Sequence, residues 1–403
     1  MTEKELRSLA CELSALSVFR GVTKTPTMEC LIKYLCSDAD TVERLSLYGE
    51  FVHSLSEFGC SLSNFLSRAV CEDENSYIVG TARGLSHPAS LEDNARAELE
   101  IFSRLSLLSA DALCECLDYG GYIPRFENSP VDFVSLYSER LSHIDKYGYG
   151  IFASANMFRV SDGEILPVDA ADDISLDSFV GYEEERQKVF DNTAALVGGG
   201  PAANTLLFGD AGTGKSSTVK AVANHFAPMG VRLIELRKDQ LFELSHVMGR
   251  IKDNPLRFII FIDDLSFNKN DDTFSMLKAA LEGSASAKAT NAVIYATSNR
   301  RHIVKENFSD REVADDVHHN DTVQELMSLS DRFGLCVYFE RPTKALYLDI
   351  VRRLADTYGI TMDKKELELK AEAFALSKGN RSPRGAEQFI NSLRGTKNET
   401  TNT

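Results

Sequence analysis

At roughly 150 residues per domain, a chain of 403 residues suggests two or three domains and can bury at least one large core, which excludes a disulfide-stapled miniprotein. With 43% hydrophobic positions, 23 phenylalanines, 25 glycines and 10 prolines, the composition is that of a globular protein and excludes wholesale disorder. The 44 basic and 60 acidic residues give a net charge of −16, which opposes nonspecific attraction to nucleic acid or to an anionic membrane surface.

The chain opens on Met1-Thr2-Glu3-Lys4-Glu5, charged where a signal peptide would be basic and then apolar, and no run approaches the ~18 apolar residues that span a bilayer. No membrane insertion is expected, and the expected compartment is the cytoplasm. Seven of the eight cysteines fall in the first 116 residues without the spacing or nearby histidines of a zinc site, so they read as reduced, packed thiols. Residues 1–170 carry 14 Lys/Arg and 26 Asp/Glu, a net −12, leaving −4 for residues 171–403, and this asymmetry points to two units.

Apolar residues at three- and four-residue intervals, in Leu31, Ile32, Tyr34 and Leu35 and again in Leu99, Ile101, Phe102, Leu105 and Leu108, predict helices. Ser90-Leu-Glu-Asp93 reads as a capping box opening the second of these. Residues 1–146 therefore read as an acidic, all-α module with no catalytic constellation. Glycines and aromatics crowd in Tyr147-Gly-Tyr-Gly150-Ile-Phe152, and an irregular acidic stretch follows, so residues 147–177 read as a connector. Beyond it, short apolar runs alternate with helical segments: Thr205–Phe208, Val231–Leu236, Phe258–Ile262, Ala292–Thr297 and Leu335–Phe339 predict a five-stranded parallel α/β sheet within residues 178–341. Three helices are expected in residues 342–395, near Lys344–Tyr358, Lys364–Ser377 and Pro383–Leu393, and a disordered tail over residues 396–403.

The chemistry is carried by Gly209-Asp210-Ala211-Gly212-Thr213-Gly214-Lys215-Ser216, which follows a short apolar strand and opens a helix beginning with Ser217. Glycines let successive backbone N–H groups curl around phosphates at a helix N-terminus. Lys215 offers an ammonium to the β and γ oxygens, and Ser216 a hydroxyl to Mg²⁺. The competing reading is a chance glycine-rich turn, and the coincidence of strand, helix, lysine and hydroxyl argues against it. Phe258-Ile-Ile-Phe-Ile262 ends in Asp263-Asp264, placing two carboxylates at the carboxyl edge of the sheet. Asp263 can hold magnesium while Asp264 orients or deprotonates the attacking water.

Thr297-Ser-Asn299-Arg300-Arg301, Ser330-Asp-Arg332-Phe-Gly334 and Arg381-Ser-Pro-Arg384-Gly-Ala then follow in order. With these, residues 147–394 resemble the AAA+ ATPases, most nearly a bacterial family catalogued as domain of unknown function 815. That likeness is carried by Asp263-Asp-Leu-Ser-Phe267, Leu281-Glu-Gly283, Tyr295-Ala-Thr-Ser-Asn-Arg-Arg-His302 and Leu329-Ser-Asp-Arg-Phe-Gly334. The resemblance implies a C-terminal helical lid and an adenine-contacting segment at Val180-Gly181-Tyr182, 28 residues before Gly209. It also implies a first sensor at Asn299, an arginine finger at Arg332 and a second sensor at Arg384. One departure is Asp264, where most hydrolases of the superfamily place the longer Glu; the resembling family carries the same Asp-Asp pair.

Arg300 and Arg301 receive no role, and His318-His319, adjacent in a polar loop and so pointing apart, are not read as metal ligands. The expected function is binding of ATP with Mg²⁺ and its hydrolysis, to remodel an unidentified protein client, with ATP-dependent self-association into a ring of six implied by the resemblance. Two alternatives stay open: an ATP-dependent switch or scaffold with little hydrolysis, and a nucleic-acid loader, against which the net charge counts.

Overall fold

A computed structural model describes residues 2–115, 117, 119–168, 174–265, 276–277, 281, 290–299 and 332–399, with the side chains of 395–399 left aside. Arg300, Arg301, His318, His319 and Cys116 lie outside the described residues. The chain divides into two compact units: Met1–Ala155 with Asp253–Leu256, and Asn156–Lys252 with Arg257–Thr403.

The first unit is helical: α1 (Glu3–Ser14), α2 (Pro26–Cys36), α3 (Thr41–Ser54), α4 (Leu62–Glu72), α5 (Ser76–Ala82), α6 (Ala89–Leu105), α7 (Ala110–Cys114), α8 (Phe133–Ser142) and α9 (Ile144–Tyr147). Short polar side chains start most of them. Thr2, Asp40, Ser61, Asn75, Ser109 and Asp132 each accept a hydrogen bond from a backbone N–H of the first turn. The capping box expected at Ser90 is not formed; α6 begins one residue earlier, behind Pro88, with no side-chain cap. Proline's fixed φ sets up that start, and Ser90 falls inside the first turn. Aromatic rings fill the core, Phe19 meeting Phe102 and Tyr137 edge to face at 5.8 and 5.1 Å. The buried Glu98 carboxylate accepts the backbone N–H groups of Ser17, Val18 and Phe19, closing the turn after α1.

The second unit holds a mixed sheet of β1 (Met157–Ser161), β2 (Glu164–Pro167), β3 (Thr205–Gly209), β4 (Val231–Glu235), β5 (Arg257–Ile262), β6 (Ala292–Ser298) and β7 (Leu335–Phe339), in the order β2-β1-β4-β5-β6-β3-β7. The five expected strands are all present and parallel. The expectation of five strands is corrected to seven, because residues read as connector form a hairpin whose β1 pairs parallel with β4. Asp162 and Gly163 turn that hairpin at φ +51° and +80°. Two successive positive φ values match the right-handed twist of the flanking strands.

Helices α10 (Glu183–Val197), α11 (Lys215–Phe226) and α12 (Leu244–Ile251) accompany the sheet. The C-terminal helices α13 (Lys344–Thr357), α14 (Lys364–Ser377) and α15 (Pro383–Glu399) enclose a separate core around Tyr347, Val351, Ala371 and Ile390. The last helix runs to Glu399, past the expected start of a disordered tail at Thr396. Among the described residues no helix is long and apolar enough to cross a membrane.

Candidate functional site

Strand β3 ends at Gly209, whose φ of +136° and lack of a side chain are both needed, since a Cβ there would lie 2.1 Å from the Phe339 carbonyl oxygen of β7. The chain then turns through Gly212 and Gly214, both at positive φ, and enters α11 at Lys215. Thr213 braces the turn by donating its hydroxyl to the Asp210 carbonyl at 2.9 Å. The result is a helix N-terminus with backbone N–H groups lacking intrahelical partners, the physical basis of phosphate binding.

Lys215 is buried, and its ammonium donates to the carbonyls of Gly209 (3.0 Å) and Asp210 (2.8 Å) and to Asn299 Oδ1 (3.1 Å). Burial holds this lysine below its ordinary pKa, against the opposing pull of Asp210, Asp263 and Asp264. A bound polyphosphate would favour the ammonium and raise that pKa. Binding of a polyphosphate here would therefore take up a proton where pH lies above the depressed value, and its affinity would fall as pH rises above that value. Calorimetry in buffers of different ionisation enthalpy reads this uptake. It should vanish in Lys215→Arg, whose guanidinium does not titrate there.

Both carboxylates stand at the carboxyl edge of the sheet. Asp263 Oδ1 accepts from the Ser216 hydroxyl at 2.6 Å, joining the end of β5 to the start of α11. Asp264, at φ +51°, accepts from Asn299 Nδ2 at 2.7 Å. Lys215, Asn299 and Asp264 thus form a directed chain in which Asn299 accepts on one side and donates on the other. That fixes the amide's orientation. Hydroxyl and carboxylate oxygens are the hard donors magnesium takes, so Ser216 and Asp263 fit that ion.

The C-terminal helices reach this edge. The Arg384 N–H donates to the Gly212 carbonyl at 3.3 Å, and a Cβ on Gly212 would lie 3.3 Å from Arg384 Cβ and Ser382 Oγ. Arg381 is committed elsewhere, gripping Glu372 with two bonds of 3.0 and 2.9 Å, whereas Arg384 lines the cavity. That cavity, of about 380 Å³, lies between phosphate loop and C-terminal helices, and Val180, Tyr182, Gly212, Ile350 and Tyr358 line it. The size is that of a small-ligand site. Gly181 passes close beneath α13, where a Cβ would fall 2.7 Å from Leu346 Cδ1. The Tyr182 phenol donates to the Glu340 carbonyl at 2.6 Å.

Arg332 is not brought into the cluster. It precedes β7, which starts beside Thr205 and ends beside Gly209, so Arg332 stands at the opposite end of the parallel strands from the phosphate loop. A five-residue strand separates the two edges by ~13 Å at 3.3 Å per step.

Two cavity contributors carried no sequence signal that singled them out. Arg186 packs its guanidinium over the Phe179 ring at 5.3 Å, and burial lowers its pKa. Tyr358 ends α13. Thr297, by contrast, was legible as a polar residue closing an apolar strand, and its hydroxyl touches both aspartates.

A family model described as a protein of unknown function, DUF815, matches residues 153–397. No protein of curated function matches the sequence. Among solved structures, an alanine-to-serine mutant of RuvB from Thermotoga maritima aligns at 14% identity and a TM-score of 0.41, over 57% of this chain and 67% of that one. A proline-to-glycine mutant of the same RuvB aligns at 14% and 0.40, over 57% and 67%. The RuvB Holliday junction branch migration motor of that organism aligns at 16% and 0.37, over 55% and 64%. This chain thus spans about two thirds of the length of those proteins.

Proposed function

The chain belongs to the family described as protein of unknown function DUF815, and from that premise we propose that it is an AAA+-type ATPase that binds Mg-ATP and hydrolyses it to ADP and phosphate. One observation carries the reading: strand ends and a helix start bring together two hydrogen-bonded groups, Lys215 with Asn299 and Asp264 and Ser216 with Asp263, at 2.6–3.1 Å, next in sequence to Gly214 and Ser217 of the cavity wall. The base and ribose lie against Val180, Gly181 and Tyr182, and the triphosphate follows Gly209 to Ser217. Lys215 exchanges the carbonyls of Gly209 and Asp210 for the β and γ oxygens. Ser216 and Asp263 would hold Mg²⁺, whose chemistry there would be neutralisation of phosphate charge. Asp264 orients the attacking water and accepts its proton, while Asn299 keeps that carboxylate aimed.

Arg384, joined to the phosphate loop through Gly212, couples nucleotide state to the C-terminal helices, which act as a lid. Arg332, remote from its own phosphate loop, serves the γ-phosphate of a second copy, and ATP thereby drives assembly of a ring of six. The output is remodelling of a protein client in the cytoplasm, met by the acidic helical residues 1–146. Steady-state phosphate release with Mg-ATP tests the proposal. The wild-type chain should release phosphate and Lys215→Ala should neither bind ATP nor release it. Equal release by the two proteins would place the activity elsewhere.

A further inference from the structure

We propose that Thr297 is the positioning residue for both strand-end carboxylates, holding Asp263 for the metal and Asp264 for the attacking water as one unit; this rests on the Mg-ATP reading above. Thr297 is 2% exposed and follows Ala292-Val-Ile-Tyr-Ala296 along β6, a strand whose last six residues are buried. A hydroxyl in that setting must find its partners inside the protein. Among the described residues it finds them at the end of β5. Thr297 Oγ1 donates to Asp263 Oδ1 at 2.5 Å and accepts from the Asp264 N–H at 2.9 Å, while the Thr297 carbonyl accepts from the Leu265 N–H at 2.6 Å. Three successive residues are fastened to one. Because a hydroxyl has a single hydrogen, giving it to Asp263 leaves only lone pairs for the Asp264 amide, and the direction of both bonds is set.

The backbone shows why such a fastening matters. Successive side chains of an extended strand point to opposite faces, so Asp263 and Asp264 would diverge if β5 simply continued. Instead Asp264 turns into the left-handed region at φ +51°, a conformation that aspartate tolerates better than most residues. The turn brings its carboxylate to Asn299 Nδ2, while the Asp263 carboxylate stays on the Ser216 hydroxyl. Thr297 grips this turn from both sides, by the side chain before it and the amide within it. The hydroxyl, rather than the bulk of the side chain, is what the two aspartates share.

The test uses the full chain carrying Thr297→Val, which keeps the shape and removes the hydroxyl, and Thr297→Ser, which keeps the hydroxyl. Three readouts are taken: amide hydrogen exchange at Asp264 in metal-free, nucleotide-free protein, Mg²⁺-dependent tightening of a fluorescent ATP analogue, and phosphate release. The valine protein should bind the analogue without metal as the wild type does, exchange the Asp264 amide faster, and lose ~10-fold or more in Mg²⁺ response and in turnover, the range seen when a ligand's outer partner is removed. The serine protein should stay near wild type in all three. Wild-type exchange and Mg²⁺ response in the valine protein would overturn the proposal, as would a serine protein that falls as far as valine. Should valine prevent folding, Thr297→Ala, which leaves room for solvent, replaces it: alanine losing the Mg²⁺ response that serine keeps supports the hydroxyl, and equal behaviour refutes it. A wild-type chain that releases no phosphate would defeat the hydrolysis reading alone, and Thr297 would still be judged by amide exchange and by Mg²⁺-dependent binding.

Discussion

Replacing Arg332 by alanine is expected to leave ATP affinity close to wild type while lowering turnover by ~10³-fold or more, the contribution an arginine makes when it stabilises charge on a departing phosphoryl group from a second chain. Geometry supplies the reason for the split. Arg332 lies before β7, at the far end of the strands from Gly209 and Lys215, so in the proposed complex it stands away from the phosphates of its own chain's site. In the proposed ring, a neighbouring copy would present its phosphate loop to it. Specific activity should therefore rise with protein concentration, and ATP should shift the mass measured by light scattering toward the ring. Mixing Arg332→Ala with Lys215→Ala should restore activity, because some interfaces then pair an intact arginine with an intact phosphate loop. An ATP-bound monomer whose specific activity is independent of concentration would overturn the assignment and leave Arg332 as a brace of the sheet edge.

Asp264→Asn is the second change with a large expected effect. Asparagine keeps the size of the side chain and can still meet the Asn299 amide, but it cannot accept a proton from water. ATP and Mg²⁺ binding should stay near wild type, since Lys215, Ser216 and Asp263 are untouched. Removal of a general base typically costs ~10²-fold or more, so kcat should fall by at least that much with little change in the nucleotide dissociation constant. Rapid-quench single-turnover measurements would show the loss in the chemical step. Wild-type turnover by Asp264→Asn would assign the water to another group. The stalled protein, with ATP bound, is also the form suited to retaining a client through purification.

The two experiments bear on different parts of the proposal. Arg332 tests assembly, because its effect depends on a second copy. Asp264 tests chemistry within one chain, and a protein that loses turnover through Asp264 but not through Arg332 would be a monomeric ATPase. The shorter carboxylate at 264 belongs to the same question. It emerges from a left-handed residue rather than from an extended strand end, so its reach is set by the turn as well as by its length.

The loop from Gly209 to Ser216 was legible because its conformation is local: its residues are consecutive, and the backbone freedom of their glycines places N–H groups where a helix begins. Strands β3, β4, β5 and β6 were legible for the same reason, since each is a short, mostly buried run whose composition alone marks it, whereas β7, at the sheet edge, mixes buried and exposed positions and was legible by its apolar run alone. The hairpin of β1 and β2 carried a signal too, in Asp162-Gly163, but the acidic stretch around it reads as connector until β4 offers an edge for pairing. The sites where the chain meets itself across long separations were decided only on folding. Thr297 becomes a clasp because β6 lies beside β5, 33 residues from the Asp264 amide it accepts. Arg381 and Arg384, three residues apart and alike in sequence, part company because Glu372 on α14 engages the Arg381 guanidinium while Arg384 lines the cavity. Arg332, adjacent in the motif series to Asn299, ends at the opposite edge of the sheet because strand direction sets that edge. Chain order records which side chains are available, whereas hydrogen-bonded register between distant strands determines which of them share a site.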